Sequence, residues 1–375
     1  MKSGTPDADT TSAVRSCRDQ FPDAIASAEL LFGFDGYIDR IREIVEGVND
    51  DARETDRTVS SMGTEILEAG EMERSIIIEW DQTGTRTGGH ACHLARGTGR
   101  LGYEPAMVGM FGEPPEDIFR RDVDPAELVS IGEPGVVDAI EFVDGKVFLV
   151  DSGSIGALDW HYLRERVDLD RLVDLADGRD LFGIGYWAEI GDFPSVLDGI
   201  RTDLLPSLSE PPSHLLVDPA DIGDLDRDRF RRGVESIRAL DGAVPVTVSA
   251  NRSETTAIAE LSGVAEPGRD LRETAERVRE ALGVSRFAAH SAEESVVVTA
   301  ESTGRAQVPR TSDPELTTSA GDHFNVGLVL ALLEGLDAEA AVVLGNAVAG
   351  HFVRTAEPPT HADLADFVDA YLERF

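Results

Sequence analysis

Short apolar runs alternate with helical patterns along most of the chain, and this alternation limits the fold more than any other feature. Buried strands are predicted at residues 30–34, 106–109, 181–185, 214–218, 245–249 and 296–299. Helical spacing lies at residues 12–26, 89–100, 168–177, 226–240, 269–282, 321–335 and 337–354. The pattern predicts an α/β fold, a doubly wound and mostly parallel sheet covered by helices on both faces.

Two segments depart from the alternation. Residues 75–80 have a strand-like composition, and residues 136–150 are typical of a β-hairpin with Asp144-Gly145 as its turn. We therefore expect a single domain over residues 1–375, with a small β lid from segments near 40–87 and 136–157. The polar segment 41–74 receives no structural prediction, and residues 1–28 receive no role.

The charge balance excludes several classes of partner. The net charge is −37, from 71 acidic and 34 basic residues, and only Lys2 and Lys146 of the basic ones are lysines. Nucleic acids and acidic membranes require a basic face, so neither is an expected partner. Hydrated carboxylates whose repulsion is screened by salt are typical of a halophilic protein.

The remaining global features predict a cytoplasmic protein with free thiols. The first 30 residues contain no secretory pattern, and no apolar run approaches the roughly 20 residues of a membrane helix. Cys17 and Cys92 lie far apart and form no CxxC pair, so neither a disulfide framework nor a cysteine zinc site is indicated.

The most informative motif is TTSAGDHF at residues 317–324, directly before an apolar helical run. The small residues Ser319, Ala320 and Gly321 allow a ligand to approach the backbone, and a helix N-terminus offers unpaired N–H groups. Such a turn can bind a transferring phosphoryl group while Asp322 acts as the general base. An Asp at this place can also be an ordinary helix cap.

This motif resembles the C-terminal signature of the ribokinase/PfkB family of carbohydrate and nucleoside kinases, Asp-Thr-Thr-Gly-Ala-Gly-Asp-x-Phe. Ser319 stands at the first glycine of the turn. Leu316 stands at the leading Asp, so the monovalent-cation site of some family members lacks that acid here.

A second segment, GGHACHLA at residues 88–95, resembles the N-terminal signature of the same family, Gly-Gly-x-x-x-Asn-x-Ala. The resemblance implies that Gly88 and Gly89 bring the backbone close to the substrate. It also implies that His93 replaces an Asn that touches a sugar hydroxyl. An alternative is a metal site of His90, Cys92 and His93, although no further clustered Cys or His completes it.

The resemblance extends to further binding residues. The family places a sugar-binding Asp after the first strand, which implies Asp39, with Asp35 in reserve; either can instead be a turn residue. The sequence NRSE from Asn251 to Glu254 matches the Asn-x-x-Glu of the family near phosphate and magnesium, so Glu254 is the expected Mg²⁺ ligand. The alternative is a solvated helix start with Ser253 as its cap.

The nucleotide half of the resemblance is less complete. Residues 289–295 lack the glycines of the family's Thr-x-Gly-x-x-Gly loop, so the donor can be ATP, ADP or another nucleotide. Asn346 resembles a position that flanks adenine. Residues 183–188 fit the GxGxxA of a dinucleotide fold, but the bulky Tyr186 and Trp187 would crowd a pyrophosphate turn.

Taken together, the resemblance implies a carbohydrate kinase that uses Mg²⁺ and forms a homodimer through the lid. A nucleoside kinase of the same fold is one alternative. A sugar-sensing protein without activity is another, which the intact Asp322 disfavours and the altered nucleotide loop favours.

The charge predicts how stability depends on salt. Carboxylate repulsion loosens the fold in dilute buffer, whereas the screening length falls to about 3 Å at 1 M salt. We expect a higher melting temperature in molar KCl than at low salt, measured by differential scanning fluorimetry. Equal melting temperatures in the two buffers would contradict the halophilic interpretation.

Overall fold

The computed structural model describes residues 5–46, 53–54, 58–264, 270–312 and 314–375. Its strands are β1 Leu30–Phe34, β2 Tyr37–Glu46, β3 Arg53–Glu54, β4 Trp80–Gly88, β5 Ala106–Met110, β6 Glu127–Gly132, β7 Gly135–Phe142, β8 Gly145–Asp151, β9 Leu181–Ile184, β10 His214–Val217, β11 Val246–Asn251, β12 Arg286–His290, β13 Glu294–Val298 and β14 Thr303–Gln307. Its α-helices are α1 Ala8–Gln20, α2 Val59–Glu71, α3 His90–Leu101, α4 Asp117–Val123, α5 Trp160–Arg166, α6 Leu169–Ala176, α7 Phe193–Gly199, α8 Arg227–Asp241, α9 Arg252–Leu261, α10 Leu271–Leu282, α11 Ala320–Leu333, α12 Ala338–Thr355 and α13 His361–Asp369.

Nine of these strands form one large sheet in the order β14-β13-β12-β11-β10-β9-β1-β5-β6. The strands from β12 to β6 are parallel, and β13 and β14 extend the sheet as an antiparallel edge. All six strands predicted from apolar runs lie in this sheet, and the predicted fold class is confirmed. Strands β6, β12 and β14 were not predicted from the sequence.

Apolar side chains fill both faces of the large sheet. On β10, for example, Leu215 and Val217 join the core on one face, and Leu216 joins the core on the other. Full burial of such side chains contributes about 1.5–3 kcal/mol each. The two cores thus hold the strand ends in fixed positions.

A second, smaller sheet contains β2, β3, β4, β7 and β8. Only Asp35 and Gly36 separate β1 from β2, so this sheet leaves directly from the carboxyl edge of the large sheet. A Cβ on Gly36 would lie 2.1 Å from the Met110 carbonyl oxygen, which only glycine avoids. The predicted hairpin is present as β7 and β8, with Val143-Asp144 as its turn, one residue earlier than predicted.

The strand predicted at residues 75–80 is wrong, because only Trp80 belongs to a strand and β4 continues to Gly88. Most of β4 is exposed and polar, so the sequence of β4 lacks an apolar signal.

Strand β2 was also not predicted. It carries isoleucines three residues apart, which is a helical spacing, and a bulge between Ile41 and Arg42 shifts the alternation of its side chains. Residues 47–52 and 55–57 of the expected lid segment lie outside the described residues, and the lid role stays a prediction.

The N-terminal helix α1 packs against α12 and β14. In the described ranges no helix is long and apolar enough to cross a membrane. Cys17 and Cys92 are free, as predicted, and both are buried. Val143 and Leu149 of the second sheet are exposed apolar residues, and the homodimer through this sheet stays a prediction.

Candidate functional site

Polar side chains collect at the carboxyl edge of the large sheet. Asp35 follows β1, Tyr186 lies just beyond β9, and Asp218 follows β10, while Asn251 and His290 end β11 and β12. These five strands are neighbours in the sheet, so the side chains lie along one row. Within this sheet the chain passes from β1 to β5 and β6 on one side and then crosses to β9 on the other side of β1, and clefts form at such switch points.

Helix α11 begins at this row with the small-residue turn that the sequence indicated. Ser319 precedes the helix with φ of 69°, in the left-handed region that costs a side-chain-bearing residue about 1–2 kcal/mol. Within the described part of the chain, the N–H groups of Gly321 and Asp322 have no hydrogen-bond acceptor. A helix start with free N–H groups is suited to an anion.

The Asp322 carboxylate lies inside the first turn of α11 and is buried. The cap position belongs to Ser319, so Asp322 is not the ordinary cap that the sequence left open. Burial alone would raise the pKa of the Asp322 carboxyl, but the imidazoles of His93, His90 and His323 lower it below its ordinary value. The carboxylate is therefore ionised at neutral pH and able to accept a proton.

Two departures from the family signatures contact each other. The Ser319 hydroxyl lies 2.9 Å from His93 Nε2, and His93 Nδ1 lies 3.4 Å from an Arg96 nitrogen. Burial lowers the pKa of His93 well below its ordinary value, against the opposite effect of the nearby Asp322 carboxylate. Both ring nitrogens of His93 already have protein neighbours, Ser319 and Arg96. A contact between His93 and a sugar hydroxyl stays a prediction.

The two candidate sugar-binding aspartates have different surroundings. Both oxygens of Asp35 accept backbone N–H groups, from His90 at 2.6 Å and from Ala91 at 2.9 Å, and the residue is fully buried. Asp35 thus holds the start of α3 and does not reach the cavity. Asp39 lines the cavity, and its Oδ2 lies 3.5 Å from Arg86 Nε.

Gly88 and Gly89 make room for these aspartates. A Cβ on Gly88 would lie 2.5 Å from Asp39 Oδ1, and a Cβ on Gly89 would lie 2.4 Å from Asp35 Oδ2. Gly89 also has φ of 90°, which disfavours any other residue. The resemblance implied that these glycines let the substrate approach the backbone. In the structure they let the carboxylates of Asp39 and Asp35 approach it, and Gly89 also lines the cavity.

Asn251 and Glu254 form a reciprocal pair at the start of α9. The Asn251 side chain accepts the Glu254 N–H at 3.0 Å, and Glu254 Oε2 accepts the Asn251 N–H at 2.8 Å. Asn251, rather than Ser253, is therefore the cap. Burial and the carboxylates of Asp218 and Asp221 raise the pKa of Glu254 to about 8, so this corner holds more negative charge than its N–H groups compensate.

Two cavities meet at the start of α11. The first, of about 440 Å³, lies between the large sheet and the second sheet, and Asp39 and Asp322 line it. The second, of about 760 Å³, lies between α11, α12 and the β12–β13 turn. Gly321, Asn251 and His290 line both cavities. A group that passes from one cavity to the other must cross this junction.

Asn346 lines the second cavity, but its amide is engaged within the protein. Its Oδ1 accepts the Ser295 hydroxyl at 2.7 Å, and its Nδ2 donates to the Tyr371 hydroxyl at 2.9 Å. A nucleotide base would thus meet Asn346 as part of the wall, and a direct hydrogen bond to the base stays a prediction.

The structure does not support the two competing motifs. Cys92 lies in the apolar core, away from any site that it could form with His90 and His93. After Gly185 the chain makes a turn, and the next helix, α7, begins only at Phe193, so residues 183–188 are not a dinucleotide turn.

Sequence reasoning missed Tyr186, Glu189, Asp218 and His290, all of which line the first cavity. Three of them follow or end a parallel strand, and this position at the carboxyl edge of the sheet was the signal that could have identified them.

Glu189 accepts a hydrogen bond from the Tyr37 hydroxyl. Burial, with nearby carboxylates, raises the pKa of Glu189 to about 7.

Comparison with known proteins agrees with this geometry. The sequence matches the family of prokaryotic ketohexokinases over residues 6–371. It is similar to a ketohexokinase of Haloferax volcanii, with 46% identity over 372 residues that cover 99% of each chain.

Solved structures with the same fold are more distant in sequence. An Arabidopsis thaliana ribokinase complexed with ribose and ATP superposes with a TM-score of 0.62 at 14% identity, over 92% of this chain and 99% of that one. A Methanocaldococcus jannaschii nucleoside kinase gives a TM-score of 0.61 at 13% identity, again over 92% and 99% of the two chains. These likenesses establish the ribokinase-like fold.

The raised pKa of Glu189 predicts a pH-dependent stability. A carboxyl whose folded pKa lies above its ordinary value of 4.5 stabilises the fold fully at low pH and loses this effect as pH rises through about 7. Glu189→Gln removes the charge and keeps the shape. We expect its melting temperature in scanning fluorimetry to exceed that of the wild type by a margin that grows from pH 5 through about pH 7 and is then constant up to pH 9.

The exposed Glu301 offers a matched control, since Glu301→Gln removes a charge that is not buried. Its melting curve should follow that of the wild type at each pH. A constant difference between Glu189→Gln and the wild type across the range would show that burial does not hold the Glu189 proton.

Proposed function

The chain belongs to the prokaryotic ketohexokinase family, and on that premise we propose that it transfers the γ-phosphoryl group of ATP to a hydroxyl of a ketohexose, with Asp322 as the general base. The protein is a sugar kinase, a phosphotransferase with an alcohol acceptor. The observation that carries the finer assignment is the ionised Asp322 at the start of α11, beside the junction of the two cavities.

The first cavity is suited to the sugar. Asp39 offers carboxylate oxygens that can accept hydrogen bonds from two neighbouring hydroxyls, and its partner Arg86 lines the same wall. Glu189 and Tyr186 also line the cavity. Such an arrangement fixes the ring so that one hydroxyl faces Asp322.

The chemical step follows from the contacts at the start of α11. Asp322 accepts the proton of the sugar hydroxyl, and the oxygen forms a bond to the γ-phosphorus. The bond from that phosphorus to the bridging oxygen breaks, and its electron pair leaves with ADP. The free N–H groups of Gly321 and Asp322 stabilise the charge on the phosphoryl oxygens, which is where such catalysis has its largest effect.

The second cavity is suited to the nucleotide. Apolar groups from α11 and α12, among them Phe324, Ala349 and Val353, form a wall on which a base can pack. The β12–β13 turn lies at the other wall, where the family's glycine loop would stand, and His290 at the end of β12 lines the same cavity. ATP is the donor that the family favours, and ADP is the alternative that the altered turn leaves open.

The residues near Glu254 fit a hydrated Mg²⁺. Carboxylate oxygens are the ligands that this cation prefers, and it usually retains several waters. Burial raises the pKa of Glu254, and the carboxylates of Asp218 and Asp221 add to this effect with negative charge that a divalent cation would neutralise. Glu254 and Asp221 would hold the cation, which would supply positive charge to the nucleotide phosphates.

Substrate choice is the direct test of this function. With ATP, Mg²⁺ and molar KCl, we expect fructose to give a higher kcat/KM than glucose, ribose or adenosine in a coupled assay of ADP release. The same panel with ADP as donor tests the nucleotide. Preference for adenosine would instead identify a nucleoside kinase, and binding of fructose without turnover would identify a sugar sensor.

Asp322→Asn tests the proposed base, because the amide keeps the size of the side chain but cannot accept the proton. Loss of general-base catalysis lowers rates by about 10²–10⁴-fold. We expect kcat with fructose to fall at least about a hundredfold, while the melting temperature and fructose binding, measured by calorimetry, stay close to those of the wild type. Near-normal kcat in a folded variant would rule out Asp322 as the base.

A further inference from the structure

We propose that His90 and Tyr186 are positioning residues, which hold one oxygen of the Asp322 carboxylate and leave the other free to take the substrate proton. This inference rests on the proposed role of Asp322 as the base. Neither residue belongs to the signature positions that pointed to the site, and each acts through Asp322 rather than on the substrate.

The His90 ring is fully buried between two carboxylates. Its Nδ1 lies 3.1 Å from Asp322 Oδ1 and 3.6 Å from Asp218 Oδ2, so one ring N–H faces both acids. The backbone N–H of His90 donates to Asp35 Oδ2 at 2.6 Å. Ring and backbone are thus both fixed, and the ring cannot move away from Asp322 without breaking buried hydrogen bonds.

Asp218 is itself held in place. Its Oδ2 accepts the Asn325 side-chain N–H at 2.9 Å, and its Oδ1 accepts the Ala220 N–H at 2.9 Å. Asn325 stands on α11, one turn after Asp322, so the acid that orients His90 is anchored to the same helix as the base. The arrangement closes a ring of contacts through His90, Asp218, Asn325 and Asp322.

Tyr186 supplies a second donor to the same oxygen. Its hydroxyl donates to Asp322 Oδ1 at 3.3 Å. The neighbouring Gly185 explains why the chain can come so close, because a Cβ there would lie 2.4 Å from His90 Cβ. The sequence GIGY at residues 183–186, which fits no dinucleotide turn, therefore packs β9 against His90 and delivers the tyrosine to the base.

Both donors bind Asp322 Oδ1, and in the described part of the chain Oδ2 has no hydrogen-bond donor. Two donors on one oxygen restrict the rotation of the carboxylate, and the second oxygen stays free to accept the substrate proton. Without the two donors the carboxylate can rotate, and small displacements of a reacting group cost large factors in rate.

The other histidines around Asp322 do not offer this contact. His93 Nε2 is paired with the Ser319 hydroxyl, and His323 Nδ1 lies 2.8 Å from the Ser319 carbonyl oxygen. His290 lies over Gly321 at the cavity junction and makes no hydrogen bond to the Asp322 side chain. His90 is the one of the four whose ring nitrogen meets the carboxylate.

Two substitutions at His90 separate positioning from packing. His90→Leu keeps apolar bulk but removes the donor, whereas His90→Asn places an amide N–H near the position of Nδ1. We expect His90→Leu to lower kcat with fructose and ATP by about ten- to a hundredfold, as loss of a hydrogen bond to a charged group does. The KM of both substrates should stay within about twofold, and His90→Asn should recover a large part of kcat.

Tyr186→Phe removes only the hydroxyl. We expect a smaller fall in kcat, about three- to tenfold, because the Tyr186 hydroxyl lies farther from Asp322 Oδ1 than His90 Nδ1 does.

Matched controls lie away from the site. His214→Leu changes a partly buried histidine at the other end of β10, and Tyr103→Phe removes a buried hydroxyl that has no hydrogen-bond partner among the described residues. Both controls should keep the wild-type kcat.

A double-mutant cycle with Asp322→Asn tells the inference apart from the proposed function. If His90 acts through Asp322, His90→Leu should cause no further loss of kcat in the Asp322→Asn background. Loss by the full factor in that background would overturn the inference, as would a normal kcat in a folded His90→Leu, or a loss of kcat that His90→Asn does not relieve.

Turnover that survives Asp322→Asn would instead overturn the base assignment, whatever the His90 variants do. If His90→Leu does not fold, His90→Asn and Tyr186→Phe decide the question. Wild-type kcat with a raised KM in Tyr186→Phe, or a raised KM in His90→Asn, would show that these residues bind substrate and do not position the base.

Discussion

The site depends on one buried hydrogen bond, between His90 Nδ1 and Asp322 Oδ1, which joins residues 232 positions apart in the sequence. The bond brings the start of α3 against the start of α11. It is possible because the two helices pack closely farther along, where a Cβ on Gly97 would lie 2.4 Å from the Val326 side chain. Helix packing thus sets the distance at which the two signature segments meet.

A high density of acids surrounds this bond. Burial raises the pKa of Asp35 and Asp218 to about 6 and that of Glu254 to about 8. Backbone N–H groups at the starts of α3 and α9 compensate part of the charge, since helix N-termini favour anions. The charge that remains makes the corner at Glu254 suited to a divalent cation, and His90 donates a buried hydrogen bond to Asp322.

Two of the departures from the family signatures, Ser319 and His93, compensate each other. Ser319 takes a backbone conformation that glycine adopts freely, and its hydroxyl contacts His93, the residue that replaces the usual Asn. The contact between the two side chains holds the turn before Asp322 in a conformation that a lone serine would disfavour. The pair of Ser319 and His93 thus supports the left-handed backbone conformation that a glycine adopts without strain.

The sequence alone determined the parallel sheet, the hairpin and the start of α11, because strand alternation, helical spacing and small-residue turns are local patterns with fixed periods. It did not reveal β2, whose bulge imitates a helical spacing. Only the tertiary structure decided that Asp35 is buried as a helix anchor, that His93 is paired with Ser319, and that Tyr186 reaches Asp322. Those facts depend on distances between segments far apart in the chain, which packing of the sheet and helices sets and local spacing does not record.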